Sequence, residues 1–462
     1  MPNFESGKPL HCLELVTGKN LTGTVLLAEE RIRTEIYSFQ DHFHIQGEKP
    51  VFVQTETNDI VSLHSNITTI PGTRSRFGEP QRTTYRQEIA SNIAIVGHDA
   101  WEAKDCVKRV SFRVRHTRDL MHHRAKVDAL GRSKYPKEEN FNLFGDTVEG
   151  MTLRARYAAT YGMDFDAPTD FWPSFEIEFD EPQGIEEYIR HVLTYVQFLS
   201  FCFGIKLKPS EISIDRLSSA DMMAALEKQA YPGHHAVHYV WPEAEFDKED
   251  LWVGGSPVRA WDDGELTSLR ACLAGWTKRV SLWKKAYTLM VMSFGLRRSF
   301  SSERLISACR WLEEIPIAKA QPALSDDAIA ALSAIAGAKA VELGLGQSLR
   351  DRIAGSIRRL KAETSEQHFS RLLAMVEDKF GPGILPGDAV GHLKRAISLR
   401  GKSAHGHFNP DSDSEFRAFV KATRAVEALC YLLTALGLPI NEAGIKRLRD
   451  HPLIRDYRMS YD

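Results

Sequence analysis

The sequence has few cysteines, and they are never spaced closely enough to form the pairs that disulfide frameworks and zinc knuckles use. The 462 residues include six cysteines, spread along the whole chain. They are Cys12, Cys106, Cys202, Cys272, Cys309 and Cys430. Since there is no CxxC pair, the spacing argues against a structural zinc site and favours a reducing compartment. We therefore expect a cytoplasmic protein.

Long apolar runs and an excess of charge of one sign are also missing. The most apolar stretch, 192–205, is shorter than the ~20 residues that a membrane-spanning helix needs. The N-terminus lacks the apolar core of a signal peptide. Because the formal net charge is only -2, any nucleic-acid site must be a local basic patch. We expect no membrane partner, and we interpret 192–205 as part of a buried helix.

The first half of the chain has the two-residue period of β-strands. From Leu21 to about Arg115, β-branched residues alternate with polar ones and are interrupted by turn formers. In "CVKRVSFRVRH", Val110 and Phe112 alternate with Arg109 and Ser111. A further strand, "SFEIEFDEP", and an amphipathic helix over 184–203 follow. The pattern predicts an α+β N-terminal domain, over 1–255, that is dominated by an antiparallel sheet with one solvated face.

The second half, 256–462, has a helical period and predicts an all-α bundle. Apolar residues recur every three or four positions from Leu266 to Phe294, which predicts one helix of about eight turns. Further helices are predicted at 302–314, 326–342, 388–400 and 415–437, and another over 348–379, either continuous or interrupted.

The stretch "SLRGKSAHGHFNP" joins two of these helices and combines an arginine with histidines. A step of five residues from Arg400 to His405 turns a continuous helix through about 500°, so the two side chains would lie on different faces. We predict that the helix breaks at Gly401 and brings them together. An imidazole that titrates near neutrality can then transfer the proton of a ribose 2′-hydroxyl, while a guanidinium stabilises the phosphate oxygens. The alternative is an Arg and a His that merely solvate helix-terminal carbonyls.

Other residues near the motif are candidates for supporting roles. His407, Gly401 and Lys402 flank the pair directly. Basic residues in the same half predict a track for an RNA backbone, although such runs are often only solvated helix faces. They are Arg350, Arg352, Arg358, Arg359, Lys394 and Arg395.

Histidines in the first half leave a second possibility open. His234 and His238 lie one helical turn apart with Glu243 close in sequence, and His42 and His44 share one strand face. Without a HExxH pattern or cysteines, we interpret them as surface or core residues and predict no metal site.

The motif and its surroundings resemble HEPN domains, the "higher eukaryotes and prokaryotes nucleotide-binding" superfamily, whose ribonuclease members carry Arg-x4-His between bundle helices. The resemblance rests on "RGKSAH", the following "GHF" and the apolar helix with "AVEALCYLLTALGL". The segment "ERLISACRWLEEIP" is similar to early helices of the ApeA-type version. In the first half, "NLTGTVLLAEERIRTEIYSF", "NDIVSLHSN" and "FWPSFEIEFDEPQGIEEYIRHVLTYVQFLSFCFG" resemble the N-terminal domain of ApeA-like anti-phage proteins.

The resemblance implies a metal-independent endoribonuclease that needs no cofactor and acts as a homodimer with a composite site. It implies abortive infection, in which host RNA such as tRNA is cut once the N-terminal domain senses a phage-derived trigger. Gly401 departs from the family, which usually has a polar residue after the arginine. Two alternatives therefore remain: a catalytically inactive dimerisation scaffold, and a nucleotide-binding regulator in which Arg400 and His405 hold a phosphate without cutting.

Overall fold

The structure is a computed structural model, which describes thirteen segments of the chain. They are residues 9–14, 22–28, 31–38, 45, 49–55, 58–68, 72–74, 84–132, 136–161, 168–231, 233–241, 253–404 and 412–460. The chain forms two compact units. The first consists of 1–199, 207–251 and 259–278, and the second of 200–206, 252–258 and 279–462. Independent folding of 1–255 and 256–462 stays a prediction.

The described part of the first unit contains one sheet of thirteen strands, and every pairing in it is antiparallel, which confirms the predicted fold class. The strands are Pro9–Glu14 (β1), Thr22–Ala28 (β2), Arg31–Ser38 (β3), Val51–Thr55 (β4), Ile60–Thr68 (β5), Gly72–Arg74 (β6), Thr84–Gly97 (β7), Cys106–Val114 (β8), Asn142–Val148 (β9), Met151–Tyr161 (β10), Pro168–Gly184 (β11), Pro209–Asp215 (β12) and His235–Tyr239 (β13).

Six of these strands form a closed ring. The order β3-β2-β1-β4-β5-β7 returns to β3, because the first half of β7 pairs with β3. The second half of β7 pairs with β13 instead and so continues into the rest of the sheet. Alternate residues fill the ring with apolar side chains such as Val25, Ile36, Val53 and Leu63. Closure removes the free edges that an open sheet of this size would expose.

Of the remaining seven strands, β6 pairs with β7. The other six, in the order β13-β12-β8-β11-β10-β9, have one apolar and one polar face. On the apolar face, Phe112 and Phe175 pack against Tyr195, with ring centroids 5.7 and 5.1 Å away. The polar face is predicted to be solvated, but Arg109 on this face is only 4% exposed. Its Nη2 lies 2.5 Å from Asp215 Oδ2, because β12 brings that carboxylate opposite it.

Fourteen α-helices lie in the described residues. They are Arg124–Arg132 (α1), Glu138–Phe141 (α2), Tyr188–Phe203 (α3), Ser219–Glu227 (α4), Asp263–Lys278 (α5), Val280–Gly295 (α6), Ser302–Glu314 (α7), Asp326–Glu342 (α8), Gln347–Arg359 (α9), Ser365–Phe380 (α10), Ala389–Ala404 (α11), Asp413–Ala435 (α12), Glu442–Leu448 (α13) and Pro452–Met459 (α14). None of them combines the length and apolar character that crossing a membrane requires.

The prediction of one helix of about eight turns from Leu266 to Phe294 is wrong, since α5 and α6 are separate helices. The break lies at Arg279, whose backbone leaves the helical region with φ -93° and ψ 1°. Its guanidinium donates to the carbonyl oxygens of Thr434 (2.5 Å) and Leu436 (2.9 Å) at the end of α12. The periodic pattern passes through this break without a Gly or Pro to mark it.

The second unit is built around α12, in which every residue from 425 to 435 is buried. Tyr431, near the end of this helix, stacks on His451 with ring centroids 3.8 Å apart and on Phe201 at 4.8 Å. Helices α7 and α11 both pack against α12 and against each other. The predicted motif begins in α11, with Arg400, and His405 directly follows the last residue of that helix.

Candidate functional site

Arg400 lies in the last turns of α11, close to the surface of the second unit. The helix buries Leu393, Ala396 and Leu399 against its neighbours, and this spacing leaves the Arg400 side chain 30% exposed. The predicted break at Gly401 is wrong, because α11 continues to Ala404. One glycine weakens a helix by only about 1 kcal/mol relative to alanine, and the following Lys402, Ser403 and Ala404 are compatible with helix.

The other members of the motif, His405, Gly406 and His407, lie outside the described residues. His405 directly follows the last residue of α11. Since a change of chain direction after Ala404 can reorient a side chain as well as a break at Gly401 can, convergence of Arg400 and His405 stays a prediction.

Glu313 on α7 is the partner that the structure gives to Arg400. The guanidinium donates from Nη1 to Glu313 Oε1 and from Nη2 to Oε2, the second at 3.1 Å. Behind this pair lies Cys309, one turn earlier on α7 and buried. Burial raises the pKa of the Cys309 thiol to about 12, and the charge of Arg400 opposes this shift in part. The thiol is therefore a protonated packing group.

Sequence reasoning did not single out Glu313. It belongs to "WLEEIP" in the segment that resembles the early HEPN helices, but nothing in the sequence distinguishes it from Glu314. The helical period of α7 supplies the only clue, because it buries Trp311 and Leu312 and leaves Glu313 exposed.

A buried ion pair fixes α7 against α12 and so fixes the position of Glu313. Arg304 donates from Nε and Nη2 to the two carboxylate oxygens of Glu427, both at 2.8 Å. The side chains are only 4% and 2% exposed. Arg304 Nη1 also donates to the carbonyl oxygen of Arg297 at 3.0 Å.

The basic residues predicted around the motif lie in different local environments. Arg395 and Lys402 on α11 are exposed, whereas Lys394 forms an ion pair with Glu366 at 3.0 Å. On α11, His392 has its pKa lowered mainly by burial; the charge of Asp388 opposes this shift, and the charges of Lys421 and Arg395 add to it. Lys421, on α12, is thus a basic neighbour of the α11 surface that sequence reasoning missed.

The basic residues of α9 differ in how exposed their side chains are. Arg352 and Arg358 are exposed, while Arg350 is half-buried and its Nε has no hydrogen-bond partner. The side chain of Arg359 lies outside the described part of the chain. Binding of RNA along this helix stays a prediction.

One of the candidate histidines of the first unit, His234, lies in a hydrogen-bonded cluster. His234 Nδ1 lies 2.6 Å from Asp215 Oδ2, and the Tyr231 hydroxyl lies 2.8 Å from the same nitrogen. Burial works to raise the pKa of Asp215, but His234 and Arg109 outweigh it and hold this pKa below its usual value. Among the described residues, no group of three or more His, Cys, Asp or Glu side chains could hold a metal ion. Glu243, His42 and His44 lie outside them.

Comparison with known proteins gives one family for the first part of the chain. Residues 17–236 match the family model described as ApeA N-terminal domain 1. No curated protein and no solved structure matches the chain. The matched region covers nearly all strands of the sheet and ends before the helical unit that carries Arg400. The match supports an ApeA-like protein and suggests a role in anti-phage defence.

Proposed function

We propose that this chain is an anti-phage defence protein whose helical unit is a HEPN-type endoribonuclease. On activation it cleaves host RNA, with tRNA as the expected substrate, and so stops phage multiplication by abortive infection. The chemistry needs no metal or organic cofactor.

The observation that carries this proposal is the position of Arg400. Its guanidinium is partly exposed in the last turns of α11, the helix that ends directly before His405, and exposed Arg395 and Lys402 lie on other faces of the same helix. A guanidinium is permanently charged and can bind two oxygens of a phosphodiester once its present partner Glu313 is displaced. The similarity of the first part of the chain to the ApeA N-terminal domain supports the defence context.

In the proposed reaction, Arg400 stabilises the charge that builds on the phosphate oxygens as the ribose 2′-hydroxyl attacks. His405 takes the 2′-hydroxyl proton or gives a proton to the leaving 5′-oxygen. Two copies of the chain form a homodimer, and the motif of the second copy supplies the complementary acid-base role. The products are a 2′,3′-cyclic phosphate and a 5′-hydroxyl.

The N-terminal unit is assigned the sensing of a phage-derived trigger, and the protein is assigned to the cytoplasm. The scattered cysteines favour this compartment. The sheet offers one polar face, on which the cluster around His234 is partly exposed.

The experiment that tests the proposal is sequencing of RNA 5′ ends after expression of the wild type, His405→Ala and Arg400→Ala. Arg458→Ala, which removes an exposed arginine elsewhere in the same unit, is the matched control. We expect new 5′-hydroxyl ends with the wild type and the control only, unaffected by EDTA in a purified reaction. Cleavage that persists in both motif variants, or that EDTA abolishes, would contradict this mechanism.

A catalytically inactive scaffold is the alternative that one observation favours. Gly401 is exposed, and a Cβ built on it would meet no atom within 4 Å, so the polar residue usual at this place is absent although there is room for it. A dimer that leaves tRNA intact in phage-infected cells would support the scaffold. Binding of a mononucleotide without RNA turnover would instead indicate the nucleotide-binding regulator.

A further inference from the structure

The ion pair between Glu313 and Arg400 occupies the part of the guanidinium that a phosphate would use. Both Nη atoms donate to the carboxylate, one to each oxygen. A carboxylate and a phosphate present two oxygens to a guanidinium with similar geometry. Glu313 therefore stands where a phosphodiester of RNA would have to bind.

The surroundings of the pair make the contact an exchangeable one. Arg400 is 30% exposed and Glu313 is 53% exposed, so solvent and solutes reach both groups. Exposed ion pairs contribute little to stability because water screens them. Displacing Glu313 therefore costs the fold little, in contrast to displacing a buried partner.

The negative charge of Glu313 also opposes RNA directly. A carboxylate at the end of α7 repels a polyanion that approaches Arg400, and it cancels the positive charge that would attract it. Among the described residues, no second carboxylate contacts Arg400. Within this part of the chain, Glu313 is therefore the acidic group that an RNA phosphate would have to replace.

We propose that Glu313 is an autoinhibitory residue, whose carboxylate occupies Arg400 in the resting protein and must be displaced before an RNA phosphate can bind there. The proposal rests on the proposed function, because it assigns RNA as the ligand of Arg400. This contact lowers the affinity of the resting protein for RNA without a separate inhibitor.

The test is a binding measurement that does not depend on cleavage. A fluorescent 2′-O-methyl RNA 20-mer lacks the attacking hydroxyl, so the full-length chain can bind it but cannot cut it by the proposed route. Fluorescence anisotropy at low salt compares the wild type with Glu313→Gln, an isosteric change that removes the charge. The matched control is Glu314→Gln, which removes the same charge from the adjacent residue of α7.

We expect Glu313→Gln to bind the RNA about three- to tenfold more tightly than the wild type, because it frees Arg400. The control should change the affinity less than about twofold, the general effect of one fewer negative charge. In an Arg400→Ala background, Glu313→Gln should give no more than that general effect. An affinity for Glu313→Gln equal to that of Glu314→Gln, or a lower one, would overturn the proposal.

A parallel assay with unmodified RNA separates this proposal from the nuclease. If Glu313→Gln binds RNA more tightly through Arg400 but no variant cleaves RNA, the autoinhibitory role of Glu313 is supported and the proposed ribonuclease activity is wrong. If the wild type cleaves in an Arg400-dependent way and Glu313→Gln gains no affinity, the ribonuclease stands and the contact is not autoinhibitory. Equal thermal unfolding of the variants shows that the comparison is between folded proteins.

Discussion

Helix α7 carries one member of each of two bidentate Arg–Glu pairs that differ mainly in burial. Near its start, Arg304 is held by Glu427 of α12 with both side chains almost fully buried. At its end, Glu313 holds Arg400 of α11 with both side chains partly exposed. The chemistry of the two contacts is the same. Their surroundings make the first a fixed connection between helices and the second an exchangeable contact.

The difference follows from the cost of removing one partner. A charge left unpaired in the interior has no water to solvate it, whereas an exposed charge is solvated at once. A residue pair of the first kind can be changed only at the expense of the fold. A pair of the second kind can exchange a carboxylate for a phosphate, as a binding site requires.

The largest effect is expected from breaking the buried pair. Glu427→Gln leaves the Arg304 guanidinium without a counter-charge and should lower the free energy of unfolding by about 3 kcal/mol or more. Chemical denaturation followed by circular dichroism measures this. The double variant Arg304→Met/Glu427→Leu should recover much of the loss, because it leaves no buried charge. A loss below about 1 kcal/mol for Glu427→Gln would mean that water reaches the pair.

The next-largest effect is expected on the rate of RNA cleavage, with little change in the free energy of unfolding. Arg400→Ala should reduce the rate of RNA cleavage about a hundredfold or more, since it removes the group proposed to stabilise the phosphate, while the unfolding free energy changes by less than about 1 kcal/mol. Arg400→Lys should also be poor, because an ammonium lacks the two-pronged hold. Cleavage rates from gel-resolved products measure both variants. If Arg400→Ala were as active as the wild type, Arg400 would have no role in RNA cleavage.

Burial also predicts a pH dependence of stability in the second unit. His451 is fully buried, and burial lowers its pKa well below 6.5, with Arg297 and Arg455 adding to this shift. Protonation therefore favours the unfolded chain, and stability should fall as the pH drops below about 6.5, by up to about 1.4 kcal/mol per pH unit. Unfolding midpoints at pH 7.5 and 5.5 measure the loss. His451→Phe, which keeps a ring on Tyr431, should lose less on acidification; an equal loss would assign the effect to other groups.

A smaller effect is expected on α9, whose exposed arginines make no ion pair in the described structure comparable to the two on α7. Replacing Arg352 and Arg358 by Glu should weaken RNA binding severalfold and reduce the salt dependence of the affinity, without changing which bond is cut. Binding titrations at several salt concentrations test this. Unchanged binding at low salt would make α9 a solvated helix face.

The smallest expected effect is at the glycine next to Arg400. Because Gly401 is helical and exposed, and a Cβ there meets no atom within 4 Å, Gly401→Ala should stabilise the protein by about 0.5–1 kcal/mol. Gly401→Asn should also be tolerated and places a polar side chain next to Arg400. Thermal unfolding measures the first variant and RNA cleavage the second. Destabilisation by Gly401→Ala would mean that the helix end opens in the native protein.

Much of the helical unit could be predicted from local pattern. The predicted helices 302–314 and 326–342 coincide with α7 and α8, and the prediction for 415–437 differs from α12 by two residues at each end. Ser412 caps α12 by accepting a hydrogen bond from the Glu415 amide, a contact between residues only three apart in the chain. The predictions failed where distant groups intervened, as at Arg279, whose partners lie at the end of α12.

The sequence by itself determined the division between strand and helix, the alternation within the strands and the candidate motif at Arg400. These features depend on the side chains of neighbouring residues and on backbone periodicity, which are local properties. Closure of the six strands into a ring depends on the pairing of β3 with β7, and no local pattern specifies that partner.

Only the tertiary structure decided which similar segments are buried and which charges are paired. Helix α8 is rich in apolar residues like α12, yet its Ile335 is 69% exposed, while α12 lies in the centre of its unit. In the same way, the sequence contains Arg304 and Arg400 without their partners. Burial and pairing arise from contacts between residues far apart in the chain. Arg304 of α7 is paired with Glu427 of α12 in the interior, whereas Arg400 of α11 is paired with Glu313 of α7 at the surface, where solvent reaches both groups.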